Sequence, residues 1–282
     1  MLKIANCPVG LQTWSCRKKW SGAPSEVLAE IRELGIEAIE VSNMPARTSY
    51  IDFKEYCDAA RMKILGYHTP ALALSIDVAE QVEYITQHCT LLETNNITIQ
   101  DHLVILNGDV LPAEYGQCVT YMEELNKAAT LLVNKQVYFH LFKYHFVACP
   151  DKKTKTDTPL KILLETTNSN LIGIQLDTHW LRKAGYETHE ELRDDFPDIF
   201  KRPLSIHLGI DLGVDDEKSA VALLENVLNW IAFIKSTPAV RTAFIELHYP
   251  RMGNKAIAPI IPVLKKWIQE LPFDNKPFFT TP

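Results

Sequence analysis

Ile172-Gly173-Ile174-Gln175-Leu176-Asp177, Leu204-Ser205-Ile206-His207 and Ala243-Phe244-Ile245-Glu246 are three short apolar runs, each closed by a side chain able to hold a metal ion. Their length, bounded by turn-forming residues, reads as buried strand. Asp177, His207 and Glu246 lie about 30 to 40 residues apart, one βα unit per step. A parallel α/β barrel collects its chemistry at the C-terminal ends of such strands, so the spacing predicts that the three meet in one pocket.

Working outward, the rest of the chain keeps the same alternation. An apolar run from Ile4 to Ser15 leads to a helix from Pro24 with Ser25 as candidate N-cap, and Gly35 stops that helix. Strands at Ile36–Val41, Ile64–His68, Ile97–Leu106 and Val137–Phe142 alternate with helices at Phe53–Met62, Val78–Glu93 and Glu114–Asn134. After a Lys- and Thr-rich loop at Asp151–Thr158, read as a mobile lid or a solvated excursion, come helices at Pro159–Glu165, Glu187–Asp195, Ser219–Ile234 and Ala256–Leu271. Eight βα units without a linker predict one α/β domain over residues 1–282, closed as a single (β/α)8 TIM barrel. No GxGxxG follows the first strand, which weighs against a dinucleotide-binding fold.

The chain has 282 residues and a formal charge of −6. That balance, with no basic block beyond Arg17-Lys18-Lys19, argues against a nucleic-acid partner. The absence of a long apolar span or an N-terminal apolar core argues against a membrane, and the expectation is a cytoplasmic protein. Cys7, Cys16, Cys57, Cys89, Cys118 and Cys149 are scattered without metal-ribbon or disulfide spacing and read as reduced thiols. A homodimer is expected only from the frequency of symmetric dimers among soluble enzymes.

Leu176-Asp177-Thr178-His179-Trp180-Leu181-Arg182-Lys183-Ala184-Gly185 resembles the strand-six segment of the xylose isomerase-like TIM barrels, which include sugar-phosphate isomerases and epimerases, inosose dehydratase and endonuclease IV. Gly35–Glu40, Ile206–Asp211 and Phe244–His248 resemble weaker elements of the same family on strands two, seven and eight. The resemblance implies a divalent metal held by Asp177, His207 and Glu246. The family's fourth ligand, a strand-five Glu, falls in Phe139-His140-Leu141-Phe142-Lys143-Tyr144-His145-Phe146, where Phe142 and His145 stand in the places of a His and the Glu. His140 is then the remaining candidate. Two imidazoles and two carboxylates suit Mn, Co, Zn or Fe better than Mg.

The resemblance further implies a sugar isomerase or epimerase acting on a small ketose, polyol or keto-sugar through a metal-stabilised enediolate. Glu246 would be the base, with His140 or Lys143 supplying the acid or base that the missing Glu leaves vacant. An inosose dehydratase-type lyase is the nearest variant. A non-catalytic barrel that has lost its strand-five Glu is the reading from another class. An endonuclease IV-like activity is disfavoured by the acidic balance. Trp14 and Trp180 are candidate walls for a carbohydrate substrate, with Glu40, His68 and His248 as further substrate contacts and Arg251 as an anion contact. Simpler readings stand beside these: Asp177 as the cap of the following segment, Glu40 in a salt bridge, Trp14 and His140 in the core, and Arg182 and Lys183 on a solvated helix face.

Overall fold

The computed structural model describes residues 1–69, 77–94, 103–106, 114–132, 135–151, 157–211, 227–248, 258 and 260–270. Eight strands form one parallel sheet: β1 (Cys7–Gln12), β2 (Ala38–Val41), β3 (Lys63–Thr69), β4 (Leu103–Leu106), β5 (Gln136–His140), β6 (Ile172–Asp177), β7 (Leu204–Asp211) and β8 (Val240–His248). Each pairs with the next in the chain, and β8 returns to β1 through Val9–Ala243, Gly10–Phe244 and Leu11–Ile245, which closes the barrel. A two-residue strand, Lys3–Ile4, pairs antiparallel with the start of β1.

Helices at Pro24–Glu33, Tyr50–Ala59, Val78–Thr94, Tyr115–Leu131, Pro159–Thr166, His189–Asp195, Leu228–Ser236 and Ile260–Glu270 follow the strands in the order the alternation implies. Their apolar faces meet the outward residues of the strands in one continuous core that includes Val27, Ile31, Ile39, Phe53, Leu125, Leu163, Ile206 and Trp230. Ser25 is not the N-cap of the first long helix. Pro24 occupies its first position, where a missing N–H costs nothing, and Ala23 precedes it. A further helix, Thr178–Lys183, starts immediately after β6. β7 and β8 run on past the residues thought to end them, so His207 and Glu246 lie within their strands. Within the loop at 151–158, residues 152–156 lie outside the described residues, as do Arg251 and residues 219–226 of the 219–234 segment read as one helix.

Side chains on a strand alternate between its two faces, so each step of two residues climbs one level inside the barrel. At the lower level Ala38, Leu65, Tyr138 and Phe244 pack together as an apolar plug. Two residues further along their strands come Glu40, His140 and Glu246. β3 deviates, because Leu65 is an extra residue in the pairing of β2 with β3, where Ile39 faces Ile64 and Glu40 faces Gly66. This bulge lets Leu65 enter the plug while His68, three residues on, still reaches Glu40.

The plug is wide because the strands beside it give way. A Cβ at Gly173 would lie 2.6 Å from the Pro203 carbonyl oxygen and 2.8 Å from the Tyr138 ring, and one at Gly10 would lie 3.0 Å from the Ala38 oxygen and 3.1 Å from Phe244. Cys7, Cys16, Cys57, Cys118 and Cys149 are buried thiols outside any disulfide. Burial pushes the thiols of Cys7, Cys16, Cys57 and Cys118 up to about 12, so they stay protonated. The Cys89 side chain lies outside the described ones. Among the described residues no helix is long and apolar enough to cross a membrane.

Gly173→Ala should therefore destabilise the barrel by about 1–3 kcal/mol, the usual cost of overpacking a rigid interior. Gly116→Ala, in an open stretch of the Tyr115–Leu131 helix, should leave stability unchanged or raise it by about 0.5–1 kcal/mol. Urea unfolding of the two variants separates them, and equal midpoints would contradict the close contact at position 173.

Candidate metal centre

Glu40 sits at the heart of the upper lumen, wholly buried. Its Oε1 accepts from Gln175 Nε2 at 2.8 Å, and its Oε2 accepts from His68 Nε2 at 3.0 Å and from His207 Nε2 at 2.6 Å. Burial works to raise this carboxyl, but the charge and hydrogen bonds of His207 and His68 outweigh it and hold the group far below the usual carboxylate range. Glu40 is therefore an anion that can only accept. That settles the orientation of its neighbours.

Because Gln175 turns its NH2 toward Glu40, its Oε1 faces His140 and accepts from Nδ1 at 2.7 Å. His140 thus carries its proton on Nδ1 and presents a bare Nε2. Burial, followed by the charge of His207, lowers its pKa to about 4, so the ring stays neutral. The Nε2 lies 3.7 Å from Asp177 Oδ2. Below this level Gln175 also reaches Ser205 Oγ at 3.2 Å, and Ser205 meets Thr242 Oγ1 at 3.1 Å, a polar floor above the plug.

His207 is aligned by the same carboxylate. With Nε2 on Glu40, its Nδ1 points at Glu246 Oε2, 2.7 Å away, and lies 3.9 Å from Asp177 Oδ2. Burial disfavours the charged ring, yet Glu40 and Glu246 together raise its pKa well above 6.5. Asp177 divides its two oxygens. Oδ1 caps the helix Thr178–Lys183, accepting from the backbone N–H of His179 at 2.8 Å and of Trp180 at 3.4 Å. Oδ2 is buried and makes no hydrogen bond to any described residue. Gly209 leaves room for this arrangement, since a Cβ there would lie 2.7 Å from Asp177 Oδ1.

His248, two residues beyond Glu246 on the same face of β8, completes the cluster. Its Nε2 is 3.4 Å from Asp177 Oδ2 and 3.9 Å from Glu246 Oε2, and its ring stacks on His179 with centroids 3.9 Å apart and planes 12° from parallel. Burial would lower its pKa, but Glu246 and Asp177 raise it to about 8. The carboxyls of Asp177 and Glu246 are held low: burial opposes the shift, and the surrounding histidines prevail. His68, His140 and His207 form one trio whose ligand atoms approach each other closely, and Asp177, Glu246 and His248 form another.

A cavity of about 420 Å³ opens above these groups. Trp14, Phe142 and Trp180 give it aromatic walls, and Gln12, Ser42, Asn43, His68, His140, Glu246 and His248 also line it. Phe142 packs against both His140 and Trp180, with centroids 4.6 and 5.6 Å apart.

The structure thus brings together Asp177, His207, Glu246 and His140, places Trp14, His68, Trp180 and His248 at the cavity, and separates the remainder. Glu40 does not reach the cavity, because three donors enclose it below. Lys143 is exposed on the turn after β5 and is not among the cavity-lining residues described, so the acid–base role expected of it has no geometric support. His145, in the place of the family's strand-five Glu, is buried with Nδ1 accepting from the backbone N–H of Phe142 at 2.8 Å. Gln175 escaped the sequence reading, although its position two residues before Asp177 puts it on the same inward face.

No protein-family model matches the chain, and no curated protein matches its sequence. Among solved structures, its fold is similar to a sugar phosphate isomerase/epimerase from Parabacteroides distasonis ATCC 8503, with a TM-score of 0.71 and 15% identity over 93% of this chain and 94% of that one. It is similar also to the probable 3-DHS dehydratase involved in petrobactin synthesis from Bacillus anthracis, with a TM-score of 0.62 and 16% identity over 91% and 98% of the two chains. A xylose isomerase-like TIM barrel protein from Mycobacterium smegmatis, in complex with magnesium, gives a TM-score of 0.61 and 11% identity over 95% and 98%. At these identities the likeness is one of fold, an α/β barrel.

The network fixes a pH dependence for the metal-free protein. Stability lent by protonated His248 and His207 is complete below their ordinary 6.5 and is lost as pH rises, through about 8 for His248 and higher for His207. His140 acts in the opposite sense. Below 6.5 the unfolded chain takes up a proton that the buried ring refuses until about 4, so stability falls with falling pH. The depressed carboxyls of Glu40, Asp177 and Glu246 add to the loss on the acid side, below their ordinary range. Thermal scans in chelator should show the highest Tm close to pH 6.5. A Tm that climbs steadily from pH 6.5 to 9 would contradict the network.

Proposed function

We propose that the protein is a divalent-metal-dependent isomerase or epimerase that moves a proton next to the carbonyl of a small ketose or keto-sugar. The observation that carries this reading is the convergence of His140 Nε2, Asp177 Oδ2, His207 Nδ1 and Glu246 Oε2 beneath an aromatic-walled cavity. Each imidazole has its other nitrogen fixed by an outer partner, as metal-binding histidines do. The buried, hydrogen-bond-free Oδ2 of Asp177 is a donor atom awaiting a cation. These residues fit a divalent ion. When bound, such an ion polarises a substrate carbonyl as a Lewis acid.

The chain's own groups would do the rest. His68 lines the cavity with Nε2 donated to ionised Glu40, which leaves Nδ1 as the basic nitrogen. It would take or return a proton there while Glu40 steadies the resulting imidazolium. Glu246, a cavity-lining carboxylate, remains the candidate base on β8. Trp14, Phe142 and Trp180 would cover the C–H faces of a sugar and keep water from the reacting carbon. The names of the fold neighbours, sugar phosphate isomerase/epimerase and probable 3-DHS dehydratase, support proton abstraction beside a carbonyl. The dehydratase variant gains from one observation: His145 stands in the place of the second carboxylate that epimerisation by a carboxylate pair would use. A lyase needs one base for the proton and one acid for the departing hydroxyl. Against a non-catalytic barrel, His140 turns its bare nitrogen toward Asp177 and the cavity instead of being lost in the apolar core.

Deuterium exchange tests the proton step whatever the product. Metal-loaded protein in D2O should incorporate deuterium at the carbon beside the carbonyl of at least one member of a panel of ketopentoses, ketohexoses and inososes. His68→Gln should slow that exchange by about 10²- to 10⁴-fold. Absence of exchange across the panel would reject the assignment. Separately, Gln175→Leu should weaken Mn2+ or Zn2+ binding about 10- to 100-fold by freeing the His140 tautomer, measured by calorimetry. Unchanged affinity would mean that Gln175 does not orient a ligand.

A further inference from the structure

We infer that His248 is a fifth ligand, so that the centre comprises three imidazoles and two carboxylates and selects a borderline ion over Mg2+. This rests on the metal-site reading above and deepens it. Donor atoms around one ion at about 2.1 Å lie about 3.0–3.5 Å from each other, depending on geometry. His248 Nε2 is 3.4 Å from Asp177 Oδ2 and 3.9 Å from Glu246 Oε2, comparable with 3.7 Å from His140 and 3.9 Å from His207 to the same Asp177 oxygen.

The alternative is an imidazolium paired with Asp177. A charge-assisted hydrogen bond would draw the atoms to about 2.7–2.9 Å. At 3.4 Å the pair stays outside that range, and neither Nε2 nor Asp177 Oδ2, both buried, meets a described partner in hydrogen-bond geometry. Held 3.4 and 3.9 Å from the two carboxylate oxygens in a site only 7% exposed at His248, Nε2 has the spacing expected of a donor that shares one ion with them. The ring's plane is fixed by stacking on His179, which β7 admits only because residue 209 is Gly: a Cβ there would lie 2.7 Å from the His179 Cβ. His248, expected from the sequence as a substrate contact, lines the cavity, and the inference adds a ligand role at its floor.

Three neutral imidazoles change which ion the site prefers. Mg2+ favours oxygen donors and retained water, whereas Co2+, Zn2+, Fe2+ and Mn2+ accept imidazole readily. The test uses the full chain, freed of metal with chelator and titrated with Co2+. Hyperfine-shifted, solvent-exchangeable imidazole N–H signals in the wild-type Co2+ protein should number three. Two would overturn the inference without any variant. His248→Gln should alter the visible Co2+ absorption and weaken Co2+ and Zn2+ binding at least tenfold while leaving Mg2+ binding nearly unchanged. An identical spectrum and affinity would remove His248 from the centre while the underlying metal site stands. Asp177→Ala should abolish the Co2+ spectrum. If wild-type protein gives no Co2+ spectrum at all, the metal reading itself falls, and this inference with it.

Discussion

A carboxylate removed entirely from water organises the barrel's upper half. Burying Glu40 alone would cost several kcal/mol, and only donors with good geometry can offset that. Three are supplied, from β3, β6 and β7. Each donor is thereby committed: His207 must place Nε2 on Glu40 and so aims Nδ1 inward, Gln175 must show its amide nitrogen and so offers its oxygen, and His140 must then hold its proton on Nδ1. One fixed charge orients three histidines on different strands, His68 and His207 directly and His140 through an intervening amide. The apolar plug below, with Tyr138 and Phe244 filling space left by Gly10 and Gly173, supports the network from beneath and keeps the charge in a low-dielectric setting.

Much of this was legible in the chain. Apolar runs that end in Asp177 or carry His207 and Glu246 have the length and spacing of barrel strands, and the side chains they deliver meet as the period of two requires. What could not be read is which polar residue faces which. Gln175 looks like any polar interruption of a strand until Glu40 and His140 are seen on either side of it. His248 and Lys143 are both basic residues close to a strand end, yet the β8 register carries one into the lumen and the turn after β5 carries the other into solvent. The bulge at Leu65 shifts the inward phase of β3 by one residue, which no alternation pattern foretells. Ser25 lost the cap position because proline competes for the first turn, a contest between two valid local preferences.

Asp177 shows how little freedom the centre has to drift. One oxygen ends β6 by starting a helix, and that helix carries Trp180, a wall of the cavity, within its first turn. The other oxygen faces the histidines. An amide at 177 would keep the helix but surrender the anionic donor, a longer acid would lose the reach to the backbone N–H groups, and an alanine would lose both. The cavity wall and the inward-facing carboxylate oxygen are thus inherited together at a single codon, so neither can be tuned by selection without disturbing the other.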